Sequence, residues 1–330
     1  MQRALVTGGT GFVGANLVAG LNERGITARV LRRPSSSLKA LEGLEYETAF
    51  GDILDDRRAL VEAMADCDWV FHVAAVADYW RQGAERVYRV NVEGTKNVLA
   101  AAQAAGVPRF VFTSSLASLG LPAPGHTLDE SCQFNLRPEQ FPYGHSKHLA
   151  EIEVRKAVEA GLAAVIVNPS VVIGPRDVNQ ISGSFIVEAA NGRLRFYSPG
   201  GVNWIAVGDV VAGHIAAAER GRVGERYILG GENLSYRMAI SAICEVVGQR
   251  PPTLSVPDWI LPAAAVGVRA ARLLLGNRVP LDANQVQMAG VNIYANPQKA
   301  IQELNLPQTP FRLAVQQTYE WYNKNGYVGK

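Results

Sequence analysis

Ala4-Leu5-Val6-Thr7-Gly8-Gly9-Thr10-Gly11-Phe12-Val13-Gly14-Ala15-Asn16-Leu17-Val18-Ala19 places an apolar run, a glycine cluster and a stretch of helical periodicity in immediate succession. The order reads as strand, tight turn, helix. Glycines at 8, 11 and 14 suit a sharp turn, close approach of a pyrophosphate to bare backbone, and close packing of helix on strand. The helix N-terminus would face the phosphates with its partial positive charge. The spacing is GxxGxxG rather than GxGxxG, but its place between an N-terminal strand and a helix favours dinucleotide binding over a plain turn. Gly8, Thr10, Gly11, Phe12, Val13 and Gly14 are therefore the candidate cradle.

The pattern repeats outward from there. Ala28 to Leu31, Tyr46 to Phe50, Trp69 to Ala75 and Arg109 to Phe112 read as further strands, with helical segments over Asp55 to Ala65 and Val87 to Ala105. Strands alternating with helices indicate an α/β fold with a parallel, doubly wound sheet, whose ligand lies at the carboxyl ends of the strands. Asp52 and Ile53, Ala74 and Ala75, and Thr113 stand at such ends. Asp52 suits an adenine amino group, and the small residues Ala74 and Ala75 let a cofactor lie flat. Strand two ends in Arg32-Arg33-Pro34-Ser35-Ser36-Ser37, without the acid that an NAD site places on the ribose 2′-hydroxyl. Arg32 and Arg33 fit a 2′-phosphate, so NADP(H) is expected over NAD(H), the alternative being two solvated surface arginines.

Tyr143 and Lys147, four residues apart on a helical stretch, project from one face. A tyrosine titrates at about 10, and a neighbouring ammonium is expected to lower that value towards proton transfer at neutral pH. YxxxK alone is also the pattern of an ordinary solvated helix face; the ordered strand ends upstream are what single it out.

Taken together, TGGTGFVG at 7–14, GD at 51–52, HVAA at 72–75, NVEGT at 91–95, TSS at 113–115, YGHSK at 143–147, NPSVVIGP at 168–175 and GDV at 208–210 resemble the extended short-chain dehydrogenases/reductases, the NAD-dependent epimerase/dehydratase family. The similarity covers roughly residues 1–230. It implies a Rossmann domain, a smaller and mostly helical C-terminal substrate domain, and catalysis by Ser115, Tyr143 and Lys147. Asn91, Pro169 and Ser170 fall within its cofactor-binding motifs. The sequence is most similar to the dihydroflavonol 4-reductase-like group, in which Arg32 and Lys39 would contact the NADP phosphate, and to hopanoid-associated sugar epimerases. The implied reaction is reduction of a ketone or aldehyde, or epimerisation of a nucleotide sugar at C4. A noncatalytic NADP-binding sensor is a further reading, against which the retention of all three catalytic residues argues. Leu116 and Ala117 replace the acidic pair of 4,6-dehydratases, and Leu116 replaces the cysteine of 3,5-epimerases. The resemblance also implies a homodimer through the helices around Val87–Ala105 and Tyr143–Ala160.

By this reading residues 1–175 with 206–230 form the cofactor domain, and 176–205 with 231–330 the substrate domain. Arg176, Arg193, Arg195, Phe196, Tyr197, Trp204 and Tyr236 are candidate pocket residues, although the aromatics are equally suited to a core. His145 and His148 look like half a metal pair and are read as structural. His126, Asp129 and Glu130 are read as a solvated turn rather than a substrate mouth. With 32 basic and 30 acidic side chains, nothing favours nucleic acid. Cys67, Cys132 and Cys244 lack CxxC spacing and read as reduced thiols of a cytoplasmic protein; the N-terminus shows no signal-peptide pattern. Trp259 to Leu275 is broken by Pro262, Arg269 and Arg272, short of the roughly 20 apolar residues of a membrane span. It is expected to be an amphipathic helix packed on the substrate domain, with membrane contact as the alternative.

Overall fold

The computed structural model describes residues 2–54, 57–77, 82–275, 279 and 282–329. The chain begins β1 (Arg3–Thr7), α1 (Phe12–Glu23), β2 (Thr27–Arg32), β3 (Glu47–Phe50), α2 (Arg57–Met64), β4 (Trp69–His72), α3 (Ala84–Tyr88), α4 (Gly94–Ala104), β5 (Arg109–Thr113), α5 (Pro142–Glu159) and β6 (Ala164–Pro169). It continues through β7 (Val171–Ile173), α6 (Ser184–Ala190), β8 (Phe196–Tyr197), β9 (Gly201–Ala206), α7 (Val207–Arg220), β10 (Arg226–Leu229), β11 (Glu232–Ser235) and α8 (Tyr236–Val246). The last elements are β12 (Leu254–Ser255), α9 (Ile260–Leu275), α10 (Ala283–Met288), β13 (Asn292–Ile293), α11 (Gln298–Leu304) and α12 (Phe311–Lys324).

Seven strands form the central sheet in the order β10-β6-β5-β4-β1-β2-β3, every pairing parallel. Because successive residues of a strand point to opposite faces, each strand feeds two cores. Val6, Phe71, Val111 and Val167 pack beneath α1 and α7, while Leu5, Val70, Phe110 and Ile166 pack beneath α2, α4 and α5. Burial on both faces accounts for the near-continuous apolar strands. The strand order reverses between β1 and β4, so a crevice opens at their carboxyl ends.

The anticipated elements are present with shifted limits. The β4 strand stops at His72, and 73–77 runs on as a loop along the crevice. The expected helix 87–105 is split, since a π-helical turn at Arg89–Glu93 separates α3 from α4. Of the helix expected from Asp55, the structure gives Arg57–Met64; Asp55 lies outside the described residues. The C-terminal portion is less purely helical than anticipated: β9 pairs with β7, β11 and β13 in a second sheet, on which α6, α8 and α12 close a third core around Trp204, Phe311 and Tyr322.

Candidate functional site

The glycine turn after β1 is built by close approach. Gly8 has φ +71°, and a Cβ there would meet the Ala74 backbone nitrogen at 2.6 Å. A Cβ on Gly14 would drive into the Gly8 carbonyl, so α1 can begin this close to β1 only without a side chain. The Gly11 N–H donates to the Gly8 carbonyl at 2.9 Å, and the N-terminus of α1 points into the crevice.

Beside this loop a chain of hydrogen bonds fixes a neutral histidine. Thr95 Oγ1 donates to the Asn91 carbonyl (2.7 Å) and so accepts from His72 Nε2 (3.0 Å); His72 Nδ1 then accepts from Thr7 Oγ1 (2.8 Å). Burial pushes the His72 pKa down to about 3, which keeps the ring neutral. Thr7 Oγ1 also accepts from the Ala74 N–H at 3.2 Å, holding the 73–77 loop against the glycine turn.

Ser115 follows β5 directly and caps the short 3₁₀ turn Leu116–Leu119, its hydroxyl accepting from the Ala117 N–H at 3.2 Å. Gly144 lets α5 press against that turn, since a Cβ would lie 2.6 Å from the Ala117 carbonyl. This approach brings Tyr143 and Ser115 into hydrogen-bond contact. Part of Tyr143 opens on the crevice, yet burial of its phenol by surrounding protein pushes its pKa up, with the Ser115 hydroxyl opposing. The expected lowering by Lys147 is therefore corrected: the cost of burying a phenolate exceeds the help available. Lys147 itself is buried, donates to the Thr113 carbonyl at 2.8 Å and sits 5.1 Å from the Phe112 ring centre. Desolvation, partly offset by Glu151, pushes it down to about 7.

Beneath Ser115 lies a polar knot. Glu151 is fully buried; its Oε1 accepts from Ser114 (2.6 Å), Ser118 (2.5 Å) and Asn168 (2.7 Å), and its Oε2 from Arg226 (3.1 Å) and Arg155 (3.2 Å). Five donors on one carboxylate tie α5 to β5, β6 and β10.

These pieces line one cleft of ≈ 1160 Å³. Gly8, Thr10, Gly11, Phe12, Val13, Gly14, Arg32, Arg33, Asp52, Ile53, Ala74, Ala75, Thr113, Ser115, Tyr143, Lys147, Pro169 and Ser170 all face it. Arg32 stacks over Phe50 at 4.6 Å, and Arg33 lies 3.8 Å from Asp52. Two anticipated residues are set elsewhere. Asn91 is buried and grips the loop instead, accepting from the Val76 N–H (2.8 Å) and donating to Ser146 Oγ (3.0 Å). Lys39 packs its ammonium on the Tyr327 ring at 4.5 Å.

The candidate pocket residues of the C-terminal portion also prove wrongly chosen: none of the seven lines the cleft. Arg176 Nη1 donates to the carbonyls of Ala40 (2.8 Å) and Glu42 (3.0 Å), Trp204 packs edge-on to Phe185 in the core, and Arg193, Arg195 and Phe196 lie on the outer surface. Instead Gln82, Glu85, Arg86 and Arg89 from the α3 side, and Val178, Ile181 and Phe185 from the 178–185 segment, complete the wall. Of these, only the apolar spacing of Ile181 and Phe185 was visible in sequence. Elsewhere, Glu130 is no solvated turn: its Oε1 accepts from the Ile228 N–H at 2.9 Å, while Asp129 caps Ser131. His145 Nδ1 meets the Tyr88 hydroxyl at 2.9 Å, and His148 stacks on Phe134.

A nicotinamide dinucleotide fits this lining. The glycine cradle has no room for side chains, Ala74 and Ala75 keep the floor flat, and Ser170 Oγ is buried at the cleft wall with no hydrogen-bond partner among the described residues, a polar group that a ligand amide would satisfy.

The sequence profile of the NAD dependent epimerase/dehydratase family matches residues 4–230. The chain is 40% identical to a Synechocystis protein named "Putative dihydroflavonol 4-reductase", over 98% of this chain and 95% of that one. It is 31% identical to the sterol demethylase protein B of Methylococcus capsulatus, over 98% and 99%. The crystal structure of gox2253 superposes with a TM-score of 0.87 at 36% identity, covering all of both chains.

Proposed function

Because this chain belongs to the NAD dependent epimerase/dehydratase family of extended short-chain dehydrogenases/reductases, we propose that it is an NADPH-dependent reductase converting a ketone or aldehyde to an alcohol. The supporting observation is that Ser115, Tyr143 and Lys147 line the same cleft as the Gly8–Gly14 turn. The Tyr143 phenol, whose pKa burial raises and Ser115 opposes, donates a proton in its neutral form. A carbonyl seated against Ser115 and Tyr143 would accept hydrogen bonds from both hydroxyls, which polarises its C=O bond. The bound dinucleotide supplies the hydride for the carbonyl carbon. As the carbonyl oxygen gains negative charge, Tyr143 passes its proton to it and leaves as phenolate. Lys147, a few residues further along α5, stabilises that phenolate when protonated and is placed to hold the ribose hydroxyls.

In this reading the Gly8–Gly14 turn holds the pyrophosphate, Asp52 and Ile53 flank the adenine, and Arg32 with Arg33 and the hydroxyls of Ser35, Ser36 and Ser37 take the 2′-phosphate. Residues 1–175 with 206–230 serve the cofactor, and 176–205 with 231–330 the substrate. Val76, Val178, Ile181 and Phe185 give the substrate end an apolar wall, which suits a hydrophobic carbonyl compound. A 4-epimerase of nucleotide sugars is the second reading; Arg86 and Arg89 at the cleft are what favours it, since paired guanidiniums suit a diphosphate.

The two readings separate in one experiment. NADPH oxidation is followed with a panel of ketones and aldehydes, beside UDP-sugar samples followed by NMR. Carbonyl-dependent oxidation with silent sugars is expected. Sugar epimerisation without net cofactor consumption would overturn the reductase.

A further inference from the structure

The α9 helix presents its apolar side outwards. Leu261 and Ala265 are buried, and Arg272 Nη1 donates to Asp282 at 3.0 Å, so the inner side is spent on α10. The outward residues are Trp259, just before the helix, then Pro262, Ala263, Val266, Ala270, Leu273 and Leu274, every one exposed. At 100° per residue they share an arc of roughly 120°. Trp259 is 78% exposed, Leu273 84% and Leu274 85%. Further exposed apolar side chains precede the helix. Leu254, 69% exposed, pairs across the β12–β8 ribbon with Phe196, also exposed, and four residues on from Ser255 the chain reaches Trp259. Exposed apolar residues gathered in this way signal an interaction surface.

Charge indicates what covers it. Exposed Arg195 adjoins Phe196, Arg237 sits over the Tyr197 ring, Arg250 precedes Leu254, and Arg269 edges the stripe. Between residues 249 and 275 Asp258 is the one acid. An apolar stripe with a tryptophan at one end and arginines along its rim matches a helix lying in the interface of an anionic bilayer, aromatic at the headgroups and cations on the phosphates. No helix among the described residues is long and apolar enough to cross a membrane, so contact would be on the surface.

We infer that the α9 stripe, with Trp259, Leu254 and Phe196, docks this protein on the surface of anionic lipid bilayers.

The test is sedimentation of the full chain with vesicles of phosphatidylcholine alone and of phosphatidylcholine mixed with phosphatidylglycerol. Wild type should pellet with the mixed vesicles. Leu273→Glu/Leu274→Glu should bind them at least about tenfold more weakly, with the thermal midpoint and the NADPH-binding constant unchanged. Tryptophan emission should shift to the blue on vesicle addition, and Trp259→Phe should remove that shift. Wild type remaining in the supernatant, or binding neutral vesicles as tightly, overturns the inference. So does light scattering that shows a dimer which the double variant splits, with no vesicle binding.

Discussion

Replacing Arg32 by alanine separates two contributions that its position combines. Its guanidinium stacks over Phe50 at 4.6 Å, at the carboxyl end of β2 where the adenine ribose would lie. Loss of the stacking removes about 0.5–1 kcal/mol from the adenine wall, which lowers kcat/KM by roughly two- to fivefold for NADPH and NADH alike. Loss of a charge-assisted hydrogen bond to the 2′-phosphate removes a further ~1.5–3 kcal/mol, or about 10- to 100-fold, from NADPH only. The preference for NADPH, measured as a ratio of kcat/KM values at constant ionic strength, should therefore fall by one to two orders of magnitude. Constant salt matters because half-exposed charges are screened. Equal losses with the two cofactors would refute the 2′-phosphate assignment, as would a wild type indifferent between them.

Two further outcomes follow from buried charge. Glu151→Ala leaves Arg226 without its buried carboxylate partner and the Ser114 hydroxyl without its acceptor, so urea unfolding should show a loss of about 3–5 kcal/mol; a loss below ~1 kcal/mol would mean that the knot is not holding α5 in place. Lys147 is pushed down to about 7 from the ordinary 10.5, so between those values the unfolded chain binds more protons and wild-type stability rises with pH. Measured against Lys147→Met, wild type should gain stability steadily from pH 7 to pH 10, and a flat difference would contradict the burial.

The legible parts of the site were those whose geometry is dictated locally. Gly8 and Gly14 could be read because the backbone contacts they permit exclude a Cβ, and Tyr143 and Lys147 because helical spacing alone puts them on one side. Asn91 was misread for the same local reason: its motif touches the cofactor loop, but the π-helical turn aims its amide at Val76 and Ser146. Arg176, Trp204 and Tyr236 were chosen by residue type, and type does not distinguish a pocket wall from a core or from a staple between loops. The true wall, from Gln82 to Arg89 and from Val178 to Phe185, is assembled from segments about ninety positions apart, a juxtaposition that only the packed sheet creates. The sign of the Tyr143 shift was equally hidden, because the balance between desolvation and a neighbouring ammonium depends on burial that sequence does not display.

The most direct test is turnover of Tyr143→Phe with saturating NADPH and a carbonyl substrate found in the panel. Loss of the proton donor should lower kcat by at least about a hundredfold, with the dissociation constant for NADPH nearly unchanged. Turnover close to wild type would contradict the assignment of proton transfer to this phenol.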